Sequence, residues 1–218
     1  MTYTKDPITS TADLPNAGKG RGRSEEKREK IVNAAAELFI ENGFDGISMD
    51  HIAKNAGVSK QTVYSHFGNK EDLFRQCIEG KCIAGAMTPE RFNDDLPIDV
   101  VLLDLAVHFT QLLMSDDGVK VTRVCVSGAE KYPEVSEMFF EAGPNNIFKL
   151  FTRYLQRQVD AKVLKIDNCQ HAAWQFMFMV KSEHAFRRLL GLDQKLSDDE
   201  IQAYIESCVG LFLRGYAV

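Results

Sequence analysis

The most informative stretch of this 218-residue sequence is IAKNAGVSKQTVYSHF, which runs from Ile52 to Phe67. It has the features of two short helices joined by a tight turn, because Gly57 permits a left-handed backbone and Ser59 can cap the helix that follows. Val63 and Phe67 are four residues apart and therefore share the inward face of that helix. The pattern predicts a helix-turn-helix, whose second helix can enter the major groove of DNA.

The other side chains of the second helix are expected to point outward. Lysine can donate to guanine, glutamine can pair with adenine, and threonine can meet a thymine methyl group or a phosphate. A solvated polar face would show the same residue types, but the absence of any acid from His51 to Lys70 favours DNA binding. The predicted DNA contacts on this helix are Ser59, Lys60, Gln61, Thr62, Ser65 and His66.

Helices are predicted on both sides of this motif. Apolar residues at helical spacing over residues 24–42 indicate an amphipathic first helix, with Ser24 as its cap and Gly43 at its end. A second helix is expected from Ser48 to about Ala56, and a fourth is expected to open after Asn69. The sequence therefore predicts a DNA-binding domain over residues 24–82.

The net charge of −5 is unevenly distributed along the chain. Residues 19–82 carry eleven bases and ten acids, whereas residues 83–218 carry fourteen bases and nineteen acids. Residues 1–23 lack an apolar segment and are predicted to form a flexible basic arm. Arg21 and Arg23 could enter a minor groove, and a solubilising tail is an equal alternative.

Residues 83–218 show helical patterns throughout, so the predicted fold class is all-α. Helices are expected near 98–114, 118–131, 134–158 with a kink or break at Pro144, 167–190 and 198–215. The segment from Asp167 to Leu190 is apolar on more faces than a surface helix needs. We expect it to form a homodimer interface with the last helix, and burial within its own subunit is the alternative.

The interior of this second region is rich in aromatic and methionine residues, which suits a hydrophobic small-molecule effector. Such residues are also what any core contains, and that interpretation stays open. The predicted effector-pocket residues are His108, Cys125, Met138, Phe139, Phe148, Phe151, Trp174 and Phe178. The region is accordingly predicted to be a ligand-sensing and dimerisation domain.

Two segments, AAELFIENGFDGISMDHIA (residues 35–53) and GVSKQTVYSHFGNKEDLF (residues 57–74), resemble the DNA-binding domain of the tetracycline-repressor (TetR/AcrR) family. The resemblance includes Tyr-x-x-Phe at Tyr64 and Phe67 and Lys-Glu-x-Leu from Lys70 to Leu73. It implies phosphate contacts from Tyr64, Lys70 and Ser48, and a backbone or base contact from Thr62. It also implies a dimer on a pseudo-palindromic operator, most commonly a repressor.

The sequence departs from that family pattern at two positions. Gln61 stands where many members have a small residue, and Ile47 stands where threonine is common. Gln61 is therefore expected to read a base that relatives ignore, while one phosphate contact is missing. The segment from Arg123 to Leu155 is similar to the C-terminal domain of the AefR-like subset of the family, which names no ligand.

Three other functions are alternatives to DNA-binding regulation with an effector. An enzyme is disfavoured because no nucleophile elbow, phosphate loop or zinc-ligand run is present, and no metal or cofactor is predicted. A thiol-based redox sensor would use one of the five cysteines, and an architectural DNA protein would have a filled C-terminal core. Scattered cysteines and the lack of an apolar leader predict a cytoplasmic protein without a membrane segment.

Overall fold

The computed structural model describes residues 17–84, 87–192 and 197–218 of the protein, with side chains over 24–81, 87–192 and 197–218. Within these ranges the chain is all-α, as predicted, and its strand-type pairing is a single bridge between Leu164 and Ala217. The helices are α1 (Ala17–Asn42), α2 (Met49–Asn55), α3 (Lys60–Phe67), α4 (Lys70–Ala84), α5 (Ile98–Met114), α6 (Asp116–Gly128), α7 (Pro133–Phe140), α8 (Asn146–Asp160), α9 (Cys169–Leu189) and α10 (Asp198–Tyr216).

The first four helices surround a core of aromatic and aliphatic side chains. Helix α1 packs along α4, and α2 packs against α3. Phe39, Phe44 and Phe74 meet at this core with ring centroids 5.1 to 5.7 Å apart, and all three are buried. Edge-to-face and offset contacts of this kind add to the stabilisation from burial.

Helix α1 begins at Ala17, seven residues before the cap expected at Ser24. The prediction of Ser24 as N-cap is therefore wrong. The residues that follow are mostly glutamate, lysine and arginine, which lose little side-chain entropy in a helix, so a serine among them does not end it.

The C-terminal helices follow the predicted segments closely. A five-residue π-helical segment, Glu141–Asn145, joins α7 to α8 and accommodates Pro144, where a kink or break was expected. A 3-10 turn, Pro89–Arg91, precedes α5. Within the described ranges no single helix is long and apolar enough to cross a membrane, and α5 and α6 meet that criterion only as a pair bent by 65°.

Helix α9 is interrupted inside the segment predicted as one helix. Ser182 has φ 57° and ψ 169°, outside the helical region and costly for a residue with a Cβ. The hydroxyl of Tyr204, on α10, donates to the carbonyl of Met179 at 2.9 Å. This hydrogen bond is accepted by a carbonyl just before the interruption, and it holds α10 against α9 at that point.

Two buried clusters hold the molecule together. The larger lies among α5, α8, α9 and α10, around the fully buried Phe151 and Phe176. The smaller is the core of α1–α4, and it continues into Cys125 of α6, Val135 of α7 and Ala142 of the π segment. Helices of the C-terminal region therefore pack directly on the N-terminal core.

Candidate nucleic-acid interface and effector cavity

The turn between α2 and α3 has the geometry that the sequence predicts. The Ser48 hydroxyl accepts from the His51 amide, and the Ser59 hydroxyl accepts from the Thr62 amide, each at 3.2 Å. Gly57 lies between the two helices with φ +66°, in the left-handed region that favours glycine. Both caps and the turn residue are therefore as predicted.

Helix α3 turns its apolar side inward and its polar side to solvent. Val63 is 0% exposed and Phe67 6% exposed, and the guanidinium of Arg28 lies 5.7 Å from the Phe67 ring centroid. Gln61, Tyr64 and Ser65 are exposed, and Thr62 and His66 are half-buried. The prediction that Val63 and Phe67 support an outward polar face is confirmed.

Three side chains at the start of α3, including its cap Ser59, already have partners. The Lys60 ammonium forms an ion pair with Asp50 of α2 at 2.8 Å, and the hydrogen bond between them raises the pKa of Lys60. The hydroxyls of Ser59 and Thr62 share a hydrogen bond at 2.8 Å. Gln61, in contrast, has no polar partner among the described residues. Its amide group is therefore free to bind another molecule.

Lys70, at the start of α4, is directed at the backbone of the segment between α1 and α2. Its ammonium donates to the carbonyls of Phe44 at 3.0 Å and Ile47 at 3.2 Å, and it lies 4.3 Å from the Phe44 ring centroid. Ile47 is buried, consistent with a residue that offers no phosphate contact. Lys70 therefore fixes the position of Ile47, which directly precedes the exposed N-cap Ser48.

The prediction of a flexible arm over residues 1–23 is wrong for its last seven residues, because α1 begins at Ala17. Arg21 and Arg23 belong to the first turns of α1, but their side chains lie outside the described residues.

A cavity of about 230 Å³ lies between α4 and the C-terminal helices. Its wall comes from α4, the end of α5, the start of α6, the junction of α7 and α8, and α9. It is lined by Ile78, Lys81, Phe109, Leu112, Leu113, Asp117, Gly118, Val121, Thr122, Phe139, Phe140, Gly143, Pro144, Ile147, Phe148, Trp174, Met177, Phe178 and Lys181. The filled core expected of an architectural DNA protein is therefore not observed.

Four aromatic side chains of this wall stack on one another. The Phe148 and Trp174 rings have centroids 3.7 Å apart and planes 16° apart. Phe140 stacks on Trp174 at 6.1 Å and 17°, and Phe178 stacks on Phe148 at 6.4 Å and 15°. The Trp174 and Phe178 planes are 31° apart, so the four rings form an apolar cluster in which only some pairs are nearly parallel.

The charged side chains of the wall are Lys81, Asp117 and Lys181. Lys81, on α4, forms an ion pair with Asp117, on α6, at 2.5 Å. This pair joins α4, which follows α3 along the chain, to α6, which forms one side of the cavity. Thr122 is also satisfied, since its hydroxyl donates to the carbonyl of Gly118 at 2.7 Å.

Half of the predicted effector residues line this cavity, namely Phe139, Phe148, Trp174 and Phe178. Cys125 and Met138 pack instead with the N-terminal core, because α6 and α7 turn those sides toward α1 and α4. Phe151 faces Phe92 and Phe176 inside the larger cluster.

His108 is also placed elsewhere. It is half-buried, and its Nδ1 lies 2.9 Å from the carbonyl and 3.4 Å from the carboxylate of Asp104. The cavity residues that the sequence reading missed, such as Ile78 and Lys81, come from the helix assigned to the DNA-binding domain. No local signal marks them, because their place in the wall depends on how α4 packs against α6.

The described thiols are poorly suited to a redox switch. Cys77, Cys125, Cys169 and Cys208 are free and buried. Burial raises the pKa of the Cys77 thiol to about 12 and that of Cys125 to about 11. Oxidation proceeds from the thiolate, so these thiols react slowly near neutral pH. The side chain of Cys82 lies outside the described residues.

Comparison with known proteins gives matches to two family models. Residues 31–77 match the model of bacterial regulatory proteins of the tetR family. Residues 100–218 match the model of the C-terminal domain of AefR-like transcriptional repressors. The second match alone covers more than half of the chain.

Among curated proteins, the chain is similar to the biofilm-operon negative regulator IcaR of Staphylococcus epidermidis, at 38% identity over 52 residues. That region is 24% of this chain and 28% of IcaR. The transcriptional activator FasR of Mycolicibacterium smegmatis is 40% identical over 63 residues, 28% of this chain and 29% of FasR. The chain therefore spans less than a third of the length of these relatives.

Solved structures match over nearly the whole chain. A TetR-family transcriptional regulator from Mesorhizobium loti has a TM-score of 0.73 and 26% identity, covering 90% of this chain and 99% of its own. The flavonoid-responsive regulator FrrA has a TM-score of 0.70 and 30% identity, covering 88% and 98%. Both likenesses extend across the N-terminal and C-terminal helices.

Proposed function

Because this chain belongs to the TetR family of DNA-binding transcription regulators, which are not enzymes, we propose that it represses transcription from a pseudo-palindromic operator. It binds the operator as a homodimer and leaves it when a small effector enters the aromatic cavity. Residues 24–82 form the DNA-binding domain, residues 83–218 form the effector and dimerisation domain, and the basic segment before residue 24 enters α1 at Ala17. The observation that carries this proposal is the exposed, unpartnered Gln61 on a helix supported from below by Val63 and Phe67.

The polar face of α3 supplies the specific DNA contacts. Gln61 reads a base edge, and its neighbours Lys60, Thr62, Ser65 and His66 contact bases or phosphates. The hydroxyl of the exposed Tyr64 donates a hydrogen bond to a phosphate. The exposed N-caps Ser48 and Ser59 also contact phosphates, because they lie at helix N-termini, which favour anions.

Lys70 acts by holding the turn that presents Ser48, since its ammonium already has two carbonyl acceptors. Arg21 and Arg23 reach the adjacent minor groove.

Replacing Gln61 by alanine tests base readout. Sites selected from random DNA by the purified protein would first give the operator, and fluorescence anisotropy would then measure affinity at each substituted base pair. We expect a loss of about 1–3 kcal/mol, confined to one base position of each half-site, because one amide pair with a base is removed.

The matched control for that variant is Gln156→Ala, at an exposed position on α8, outside α3 and the proposed dimer helices. It should leave both affinity and base preference unchanged. Equal losses for operator and random DNA in the Gln61 variant would remove this residue from base readout.

Replacing Asp50 by asparagine should strengthen DNA binding. The carboxylate of Asp50 is 61% exposed beside α3 and pairs with Lys60, so it repels phosphates and occupies a cation that could bind them. We expect affinity for any DNA sequence to rise about two- to fivefold at low salt. Titrations at several salt concentrations would measure this, with Asp167→Asn as a remote control. A fall in affinity would mean that the ion pair is needed to shape α3.

The homodimer is proposed to form through α9 and α10. These helices carry large apolar side chains at exposed positions, including Phe178, Phe186, Tyr204 and Leu211. Several large apolar side chains exposed on two neighbouring helices are typical of protein interfaces. A two-fold axis through them would present both copies of α3 to one face of the duplex.

Coupling between effector and DNA is proposed to run through α4. Ile78 and Lys81 of this helix belong to the cavity wall, and the Lys81–Asp117 ion pair ties α4 to α6. Such an effector would bind more tightly to a conformation in which α4 is displaced. The difference between its affinities for the two conformations would then lower the affinity for DNA. The name of the neighbour FrrA, a flavonoid-responsive regulator, supports an aromatic effector. The AefR-like repressor match and IcaR support repression.

A further inference from the structure

We propose that the effector is a flat aromatic molecule with one negatively charged group, and that Lys181 binds that charge. This inference rests on the proposed function, because it takes the cavity to be the effector site. It adds the chemical class of the effector and the residue that selects it.

The charge of the cavity wall supports an anion. Lys81 and Asp117 neutralise each other through their ion pair, which leaves Lys181 as an uncompensated positive charge. Among the described residues no carboxylate forms an ion pair with Lys181, and no polar group hydrogen-bonds to it. The nearest acid along α9, Glu183, pairs with Arg187. The wall therefore carries one net positive charge.

The surroundings of Lys181 favour a negatively charged ligand over a neutral one. The residue is half-buried, and its ammonium lies 5.7 Å from the ring centroid of Phe178, one turn earlier on the same helix. A neutral ligand that filled the cavity would take water away from this ammonium and return no hydrogen bond. A carboxylate or sulfonate would replace the lost water with a charge-assisted hydrogen bond.

The shape of the wall supports a flat ring system. The rings of Phe140, Trp174 and Phe148 are within 17° of parallel to their stacking neighbours, and Phe178 lies 15° from Phe148 and 31° from Trp174. An aromatic ligand can lie offset on such faces and gains from the ring contacts beyond simple burial. The ring system and the charge are then recognised by adjacent residues of α9.

A matched pair of probes tests the inference on the full-length protein. The anion 1-anilinonaphthalene-8-sulfonate and the neutral N-phenyl-1-naphthylamine share the same rings and differ by the sulfonate. Trp174 is the only tryptophan of the chain and lines the cavity, so energy transfer from it reports a probe bound nearby, and an effect of Lys181→Met on that transfer places the probe in the cavity. We expect the anion to bind about tenfold more tightly than the neutral probe. Lys181→Met should remove this preference and leave binding of the neutral probe unchanged.

Two controls separate charge from folding. Lys181→Arg should keep the preference for the anion, and Lys165→Met, at an exposed position away from the cavity, should not change it. The inference is overturned if Lys181→Met keeps the preference, if both probes bind the unaltered protein equally, or if neither probe receives energy from Trp174. A preference that depends on Lys181 without any effect of the probe on operator affinity would support the inference and contradict the proposed effector release.

Discussion

Replacing Phe67 by alanine is expected to lower the free energy of unfolding by about 3–5 kcal/mol, because it empties a buried aromatic site at the end of α3. The ring is 6% exposed and also contacts the guanidinium of Arg28. Without it α3 loses half of its support, so operator binding should be lost as well. Urea unfolding followed by circular dichroism, together with anisotropy on operator DNA, would measure both effects.

Tyr64→Ala is the matched control on the same helix. Tyr64 is 43% exposed, so its removal should change stability by less than about 1 kcal/mol while weakening DNA binding. The two variants therefore separate the supporting side of α3 from its binding side. If Tyr64→Ala destabilised the protein as much as Phe67→Ala, the assignment of inward and outward faces would be wrong.

Phe148→Ala is expected to have an equally large effect in the C-terminal domain. Phe148 is 6% exposed and stacks on Trp174 at 3.7 Å, so its loss leaves a hole beside the existing cavity. We expect about 3–5 kcal/mol of destabilisation and a red shift of Trp174 emission, since water gains access to the indole. Urea titration followed by tryptophan fluorescence would record both.

Phe140 provides the comparison for that prediction. It also stacks on Trp174, but at 6.1 Å, and it is 38% exposed. Phe140→Ala should therefore cost less than about 1.5 kcal/mol. Similar costs for the two variants, with unshifted emission in both, would show that the stack on Trp174 does not stabilise the domain.

Local signals in the sequence were sufficient to predict most of the fold. Helix starts at Ser48 and Ser59 were found because a cap needs only a hydroxyl and the amides that follow it. The limits of α5 and α10 were found within one residue because proline, glycine and an apolar periodicity mark them. The inward face of α3 was predicted from the four-residue spacing of Val63 and Phe67.

Features that depend on tertiary packing were not found. The ion pairs of Lys60 with Asp50 and of Lys81 with Asp117 join different helices, and nothing in the residues themselves selects those partners. Lys70 was expected to bind a phosphate, but its ammonium is directed at two carbonyls of the preceding segment. Long flexible cations take whichever acceptor the fold brings near them.

The cavity was only half predicted for the same reason. Aromatic and methionine residues mark an apolar interior, but not which of them faces an empty space. Phe148 and Phe151 are three residues apart on α8, yet the first lines the cavity and the second fills the core. The interruption of α9 at Ser182 was missed because serine is not a helix breaker and the bond from Tyr204 that accompanies it comes from α10.

The central claim is that the polar face of α3 lies in the major groove of DNA, twice per dimer. Ser65→Cys, at an exposed position of that face, can carry a thiol-linked iron–EDTA group, and the unsubstituted protein controls for labelling of its own cysteines. Mapping the DNA cuts on the selected operator should give two clusters of major-groove cleavage, about one helical turn or a multiple of it apart. Cleavage spread evenly along the DNA, or confined to the minor groove, would contradict the account.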